Sequence, residues 1–201
     1  MEPPLSDHLP VGATPLSDEE RDGLIPSIQT RGELNELEAG NIDIATAWVT
    51  GRGRLRAQRE VTTVDGLLRL HRRMFEETWR WAGQIRLSNK NIGAPKEQIR
   101  ERLRALCDDV EYQIEHETYP VDELSIRFHH RLVSIHAFAN GNGRHSRLAA
   151  DILVRRLGGP VFTWGGRRLE NAGPTRTAYI DALRKADRAD ITDLLAFARS
   201  S

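Results

Sequence analysis

Only one cysteine, Cys107, stands among the 201 residues of the chain. No internal disulfide can form, and a reducing compartment fits that usage. Net charge is also missing, because 29 basic residues balance 29 acidic ones. No global field therefore draws in nucleic acid or anionic lipid, and any basic site must be local. No apolar run approaches the roughly 18 residues that a membrane-spanning helix needs. The start, Met1-Glu-Pro-Pro-Leu-Ser-Asp, lacks the basic opening and apolar core of a secretory signal, so the cytoplasm is the expected location. There is no internal repeat and no low-complexity tract. What is present is a globular mixture, 39% hydrophobic and 29% charged, long enough for one domain with a core and an additional arm.

The arm is residues 1–29, interrupted by Pro3, Pro4, Pro10, Pro15 and Pro26. Its composition predicts a loosely packed extension in which Ser17-Asp-Glu-Glu20 caps one short helical turn. A domain over 30–201 follows. Thr30 and Glu33 have capping-box spacing, and Leu34, Leu37, Asn41, Ile44, Ala45 and Trp48 follow one helical face. The basic stretch Arg52–Arg59 has no interleaved aromatics and reads as a solvated connector, so no nucleic-acid partner is expected. A second helix is predicted over about 63–77, with Leu67, Leu70, His71 and Met74 on one side. Trp79 and Trp81 seal its end. Residues 84–94 alternate partially and read as a short β-hairpin or flap. Further helices are predicted from Pro95, over 121–134 with Asp122 as a cap, over 142–157, over 175–186, and over 191–199 capped by Asp190. His129, His130 and His136 crowd the end of one helix, but neighbouring positions point apart, which argues against a metal cluster.

The chemistry concentrates in His136-Ala-Phe-Ala-Asn-Gly-Asn-Gly-Arg-His-Ser-Arg147. His136 ends an apolar helix, and an imidazole can accept a proton near neutral pH. Gly141, Asn142 and Gly143 allow a backbone concavity of N–H groups suited to anionic oxygens. A new helix begins there, with unpaired N–H groups and the positive end of its dipole. Arg144 and Arg147 share a helix face, and their guanidinium forks suit phosphate. Base plus phosphate cradle is a layout for transferring part of a nucleotide to a hydroxyl, where positioning and charge stabilisation dominate.

This stretch closely resembles the signature of the Fic (Fido, or Fic/Doc) family, H-x-F-x-[D/E]-G-N-G-R-x-x-R. Seven of the eight specified positions match: His136, Phe138, Gly141, Asn142, Gly143, Arg144 and Arg147. Phe75–Gly83 with Ile85-Arg86 resembles that family's lead into its flap, and Tyr179-Ile-Asp-Ala-Leu resembles its late helix. The arm and the motif variant resemble the subgroup called mobile mystery protein B.

The resemblance implies an all-α Fic fold with a short β-hairpin flap. It also implies a cytoplasmic protein adenylyltransferase that moves AMP from ATP, with Mg²⁺, to a Tyr, Ser or Thr hydroxyl of a target protein. On that analogy His136 is the general base. Asn140, Gly141, Asn142, Gly143, Arg144 and Arg147 bind the nucleotide. Ile85, Arg86, Lys90 and Ile92 belong to the target-binding flap, which adds to the target as a strand. The family's acidic metal-holding residue is Asn140 here, so Mg²⁺ would be held mainly through the phosphates. Many members are restrained by a glutamate on the second motif arginine. The candidates are Glu33 and Glu36, and an antitoxin or regulatory partner is the alternative source. The rival functions are a phosphotransferase using another diphosphate donor and a catalytically weak nucleotide-binding regulator in a toxin–antitoxin or mobile-element module. Gly143, where Doc-like members carry Lys, argues against the first; Asn140 favours the second.

Overall fold

A computed structural model describes residues 17–28, 30–167, 169 and 173–201. The expectation of a loose arm over residues 1–16 lies outside them. Among the described residues the regular structure is helical: α1 (Asp18–Arg21), α2 (Arg31–Thr50), α3 (Arg54–Glu60), α4 (Val64–Phe75), α5 (Ile99–Glu115), α6 (Val121–Ile135), α7 (Asn142–Arg156), α8 (Pro174–Ala186) and α9 (Thr192–Arg199).

Several helix starts follow from local chemistry. Thr30 and Glu33 form the full capping box at α2, and Ser17 and Glu20 form another at α1. The Thr63 hydroxyl accepts the Gly66 N–H at α4. The Asp190 carboxylate accepts the Thr192 N–H at α9. Asp122 does not cap α6. It lies in the first turn and pairs with Arg199, tying α6 to α9.

The buried stripe of α2 is Leu34, Glu38, Asn41, Ala45 and Val49, whereas Ile44 is 64% exposed. Asn41 is inward as predicted, but the face is rotated from the one predicted because Glu38, a charged residue, also takes an inward position. Residues 54–60 form α3 rather than a connector. It packs against α2, α4 and α7 through buried Ala57, with its arginines outside.

The expected β-hairpin over 84–94 is absent among the described residues, where the one bridge with both partners described joins Leu24 to Trp79. The reason lies in where its backbone bonds go. Arg86 N–H donates to Ala137 O (3.0 Å) and Ala94 N–H to Ile135 O (3.1 Å). The segment is thus spent on the motif loop and does not fold back on itself.

α6 is the spine. Leu124, Phe128, Leu132 and Ile135 enter a core shared with α2, α4, α5 and α7. Ile126 enters a second core with Ala150, Val154, Phe162, Trp164, Tyr179 and Leu194. Each large apolar side chain fully buried in this way contributes about 1.5–3 kcal/mol. The hairpin of α6 and α7 is therefore held from both sides, and the loop between them, residues 136–141, is presented by rigid elements.

Candidate active site

His136 caps α6 in the left-handed conformation, φ 54° and ψ 58°. That conformation costs a non-glycine residue about 1–2 kcal/mol, so it must be imposed by its surroundings. Arg86 imposes it. Its Nε donates to His136 O (2.7 Å), and its other nitrogens donate to Ser88 O and Ala94 O. Gly93 lies so close that a Cβ there would stand 2.5 Å from the His136 Cβ. Burial pushes the imidazole down to about 4, with the cations Arg86 and Lys90 adding to the effect. At neutral pH the ring is uncharged and able to accept a proton. An anionic ligand beside it would raise its proton affinity.

The loop that follows closes on itself. Asn142 Oδ1 accepts Phe138 N–H (2.9 Å), and its Nδ2 donates to Phe138 O (2.8 Å). Phe138 stacks on His71 with ring centroids 3.6 Å apart. His71 Nδ1 accepts Gly83 N–H (3.0 Å), so its Nε2–H donates to Asn140 O (3.0 Å). Asn142 and His71 thus build the cradle, while the first N–H groups of α7 point out of the helix end with no side-chain cap.

Gly141 has φ 79°, and a Cβ on it would meet the Phe75 ring at 2.5 Å. Gly141→Ala therefore combines left-handed strain with overpacking, an expected loss of about 2–4 kcal/mol. Urea denaturation of the variant measures it, and an unchanged midpoint would show that the loop does not need this glycine.

Arg144 NH1 donates to Glu38 Oε2 at 2.7 Å, and Glu38 is 2% exposed. Trp79 Nε1 donates to Glu38 Oε1 (2.8 Å). Arg147 lies against Tyr179, its guanidinium 5.5 Å from the ring centroid. Asn140 Oδ1 accepts Gly141 N–H (2.7 Å), which orients its Nδ2 toward Glu38 Oε1 at 3.5 Å. This donor set does not fit a protein-held Mg²⁺. The amide oxygen is already engaged, and the nearby carboxylate is taken by Trp79 and Arg144. No group of three His, Cys, Asp or Glu suited to a metal occurs among the described residues.

Of the glutamates considered from sequence, Glu33 is in the α2 capping box and Glu36 is exposed. The glutamate at the loop is Glu38, on the first motif arginine rather than the second. One signal could have found it: Glu38 stands four after Leu34 and three before Asn41, inside the inward stripe. Of the flap residues, Arg86 is buried in the loop's support, Ile85 and Lys90 are partly covered, and Ile92 is exposed.

Three further buried groups share the electrostatic character of His136. Burial pushes His71 well below the ordinary imidazole value, His129 to about 3 and His145 to about 4. Each is neutral when folded and binds a proton near pH 6.5 when unfolded. The unfolded chain therefore takes up more protons as pH falls, and stability is lost from about pH 6.5 down toward 4. The thermal midpoint is expected to be flat above pH 7 and to drop steeply below 6; a flat profile to pH 4.5 would refute this.

Fold and site together define a helical domain that presents a neutral imidazole and an uncapped helix start on one loop. Residues 61–154 match the model of the Fic/DOC family. The chain is 28% identical over 142 residues to protein adenylyltransferase fic-1 of Caenorhabditis elegans, covering 68% of this chain and 26% of that protein. It is 25% identical over 169 residues to protein adenylyltransferase Fic of Nematostella vectensis, covering 82% and 37%. The chain thus spans about a quarter to a third of these relatives. The fold is shared with C. elegans Fic-1 residues 134–508 (TM-score 0.64, 23% identity, 90% of this chain and 52% of that one). It is also shared with BepC of Bartonella tribocorum with bound AMPPNP (TM-score 0.65, 17% identity, 91% and 97%). No helix among the described residues is long and apolar enough to cross a membrane.

Proposed function

We propose that the protein is a nucleotidyltransferase that moves AMP from ATP to a hydroxyl of a target protein. One observation carries this reading. The α6–α7 loop combines a neutral, rigidly held His136 with an uncapped helix start flanked by Arg144 and Arg147. In the reaction, the target hydroxyl oxygen attacks the α-phosphorus while its proton passes to His136. A new O–P bond forms, the bond from the α-phosphorus to the β-phosphate oxygen breaks, and pyrophosphate leaves. The N–H groups of Asn142 and Gly143 and the two arginines stabilise the charge that develops on the phosphates. The target offers a Tyr, Ser or Thr hydroxyl, and the exposed segment 87–92 receives its main chain. The cytoplasmic setting and the likeness to mobile mystery protein B belong to the same proposal.

Arg144 cannot grip a phosphate fully while its NH1 is given to Glu38. The described state is therefore a restrained one, and nucleotide entry competes with Glu38. This pairing also favours a second reading, a nucleotide-binding regulator held by an antitoxin-type partner, with Asn140 in place of a carboxylate.

ATP labelled at the α- or the γ-phosphate, with and without Mg²⁺, separates the readings. Protein label from the α position alone is expected. Label from γ would make the protein a phosphotransferase, and tight binding with neither label would make it the regulator.

A further inference from the structure

The segment facing His136 is held at two levels. Its base is held by the loop itself, through Arg86 and the two backbone bonds to Ala137 and Ile135. Its tip is held from a distant part of the chain, α1. The Glu20 carboxylate accepts Ser88 Oγ–H at 2.9 Å and the Lys90 ammonium, in addition to Ser17 N–H at 2.8 Å. The Glu20 carbonyl accepts Trp81 Nε1–H (2.9 Å). Behind it, Arg80 N–H donates to Gly23 O (2.8 Å) and Ile25 N–H to Thr78 O (2.9 Å). Gly23 has no room for a Cβ, which would stand 2.4 Å from the Trp81 ring.

These contacts are not those of a casual surface turn. A four-residue helix has no stability of its own, so α1 exists because it is docked. The Lys90 and Glu20 side chains are only 5% and 13% exposed. Exposed ion pairs contribute little, but a buried ammonium without its partner is costly. Burial alone would raise the Glu20 carboxyl; the hydrogen bonds from Lys90, Ser17 and Ser88 outweigh it and hold the group below the ordinary carboxylate value. Between the two pinned levels, Leu87 is 86% exposed and Ile92 also faces outward. The latch thus presents apolar side chains to solvent on the stretch beside the base.

We propose that Glu20 is a positioning residue, which fixes the tip of segment 87–92 and sets the Lys90 ammonium beside His136. Docking of the arm then decides whether the target-facing segment is preformed. This rests on the transferase reading for its purpose, but the latch itself is measured without turnover.

The test uses the full chain and its Glu20→Gln and Lys90→Met variants, followed by hydrogen–deuterium exchange and by NMR titration of the His136 ring. In Glu20→Gln, exchange over 87–92 is expected to rise about tenfold or more, with residues 135–137 unchanged. The His136 titration midpoint is expected to move upward from about 4, because the Lys90 cation is no longer held nearby. Lys90→Met is expected to move the midpoint in the same direction while Ser88 stays protected. Unchanged exchange at 87–92, or an equal rise at 135–137, would overturn the proposal. So would an unmoved His136 midpoint, which would leave Glu20 a merely structural staple. Failure of the wild-type chain to transfer label would count against the transferase reading alone.

Discussion

His136→Ala is expected to lower transfer of α-phosphate label by roughly 10²–10⁴-fold, the range for loss of a positioned general base. The nucleotide should still bind, because the helix start and both arginines belong to α7, after the loop, whereas His136 ends α6. The affinity measured by calorimetry is expected to stay within about threefold of wild type, since an interaction made only as the proton moves does not contribute to ground-state binding. The fold should persist as well. Alanine keeps the Cβ that packs against Gly93, and the left-handed backbone is imposed by Arg86 on the carbonyl, not by the ring. A variant that retains wild-type transfer would remove the imidazole from the mechanism. A variant that loses nucleotide binding and transfer equally would make His136 a binding residue.

The second large effect is expected at Glu38. Glu38→Gln or Glu38→Ala frees Arg144 for phosphate and removes a buried negative charge from the anion's neighbourhood. Nucleotide affinity is expected to rise about tenfold or more, with transfer rising in step. The variants should also be less stable without ligand. Breaking a fully buried pair costs about 3–5 kcal/mol, but Arg144 keeps 17% exposure and can rehydrate, so a smaller loss is expected. In Glu38→Ala, Trp79 and Asn140 lose an acceptor at the same time. Added ATP should restore stability, because a ligand that binds only the folded state stabilises in proportion to the logarithm of its excess over Kd. The diagnostic is a larger ATP-induced rise in Tm for Glu38→Ala than for wild type. Equal rises, with equal Kd, would mean that Glu38 braces the loop without competing with the ligand.

The two expectations differ in how visible their residues are along the chain. His136 and the loop to Arg147 were legible because the chemistry is contiguous: base, glycine turn and arginines occupy twelve successive positions. Glu38 lies more than a hundred residues from Arg144 in sequence. Its role depends on the fold bringing the Glu38 carboxylate to Arg144 in the first turn of α7, which no local pattern announces. The predicted face of α2 left Glu38 out, because a glutamate conflicts with an apolar stripe. The same conflict rotated the reading of α2 and put Ile44 inside when it is largely exposed.

The segment 84–94 failed for a related reason. Partial alternation suggests a strand, yet a strand needs a partner ladder. Here the backbone groups of Arg86 and Ala94 bond to the motif loop, and the Arg86 side chain binds three more carbonyls. Arg86 read as a flap residue; in the folded chain it is the support of His136.

The sequence by itself determined the helical class, through apolar spacings of three and four and the capping boxes at Ser17 and Thr30. It also singled out the candidate loop 136–147, through residue types whose chemistry is short-range. Only the tertiary structure decided the state of that loop: a histidine made neutral by burial, a first arginine already held by Glu38, and a facing segment latched by Glu20. These are effects of desolvation and of charges brought together from distant positions. Their strength depends on distance and burial, and neither exists until the chain is folded.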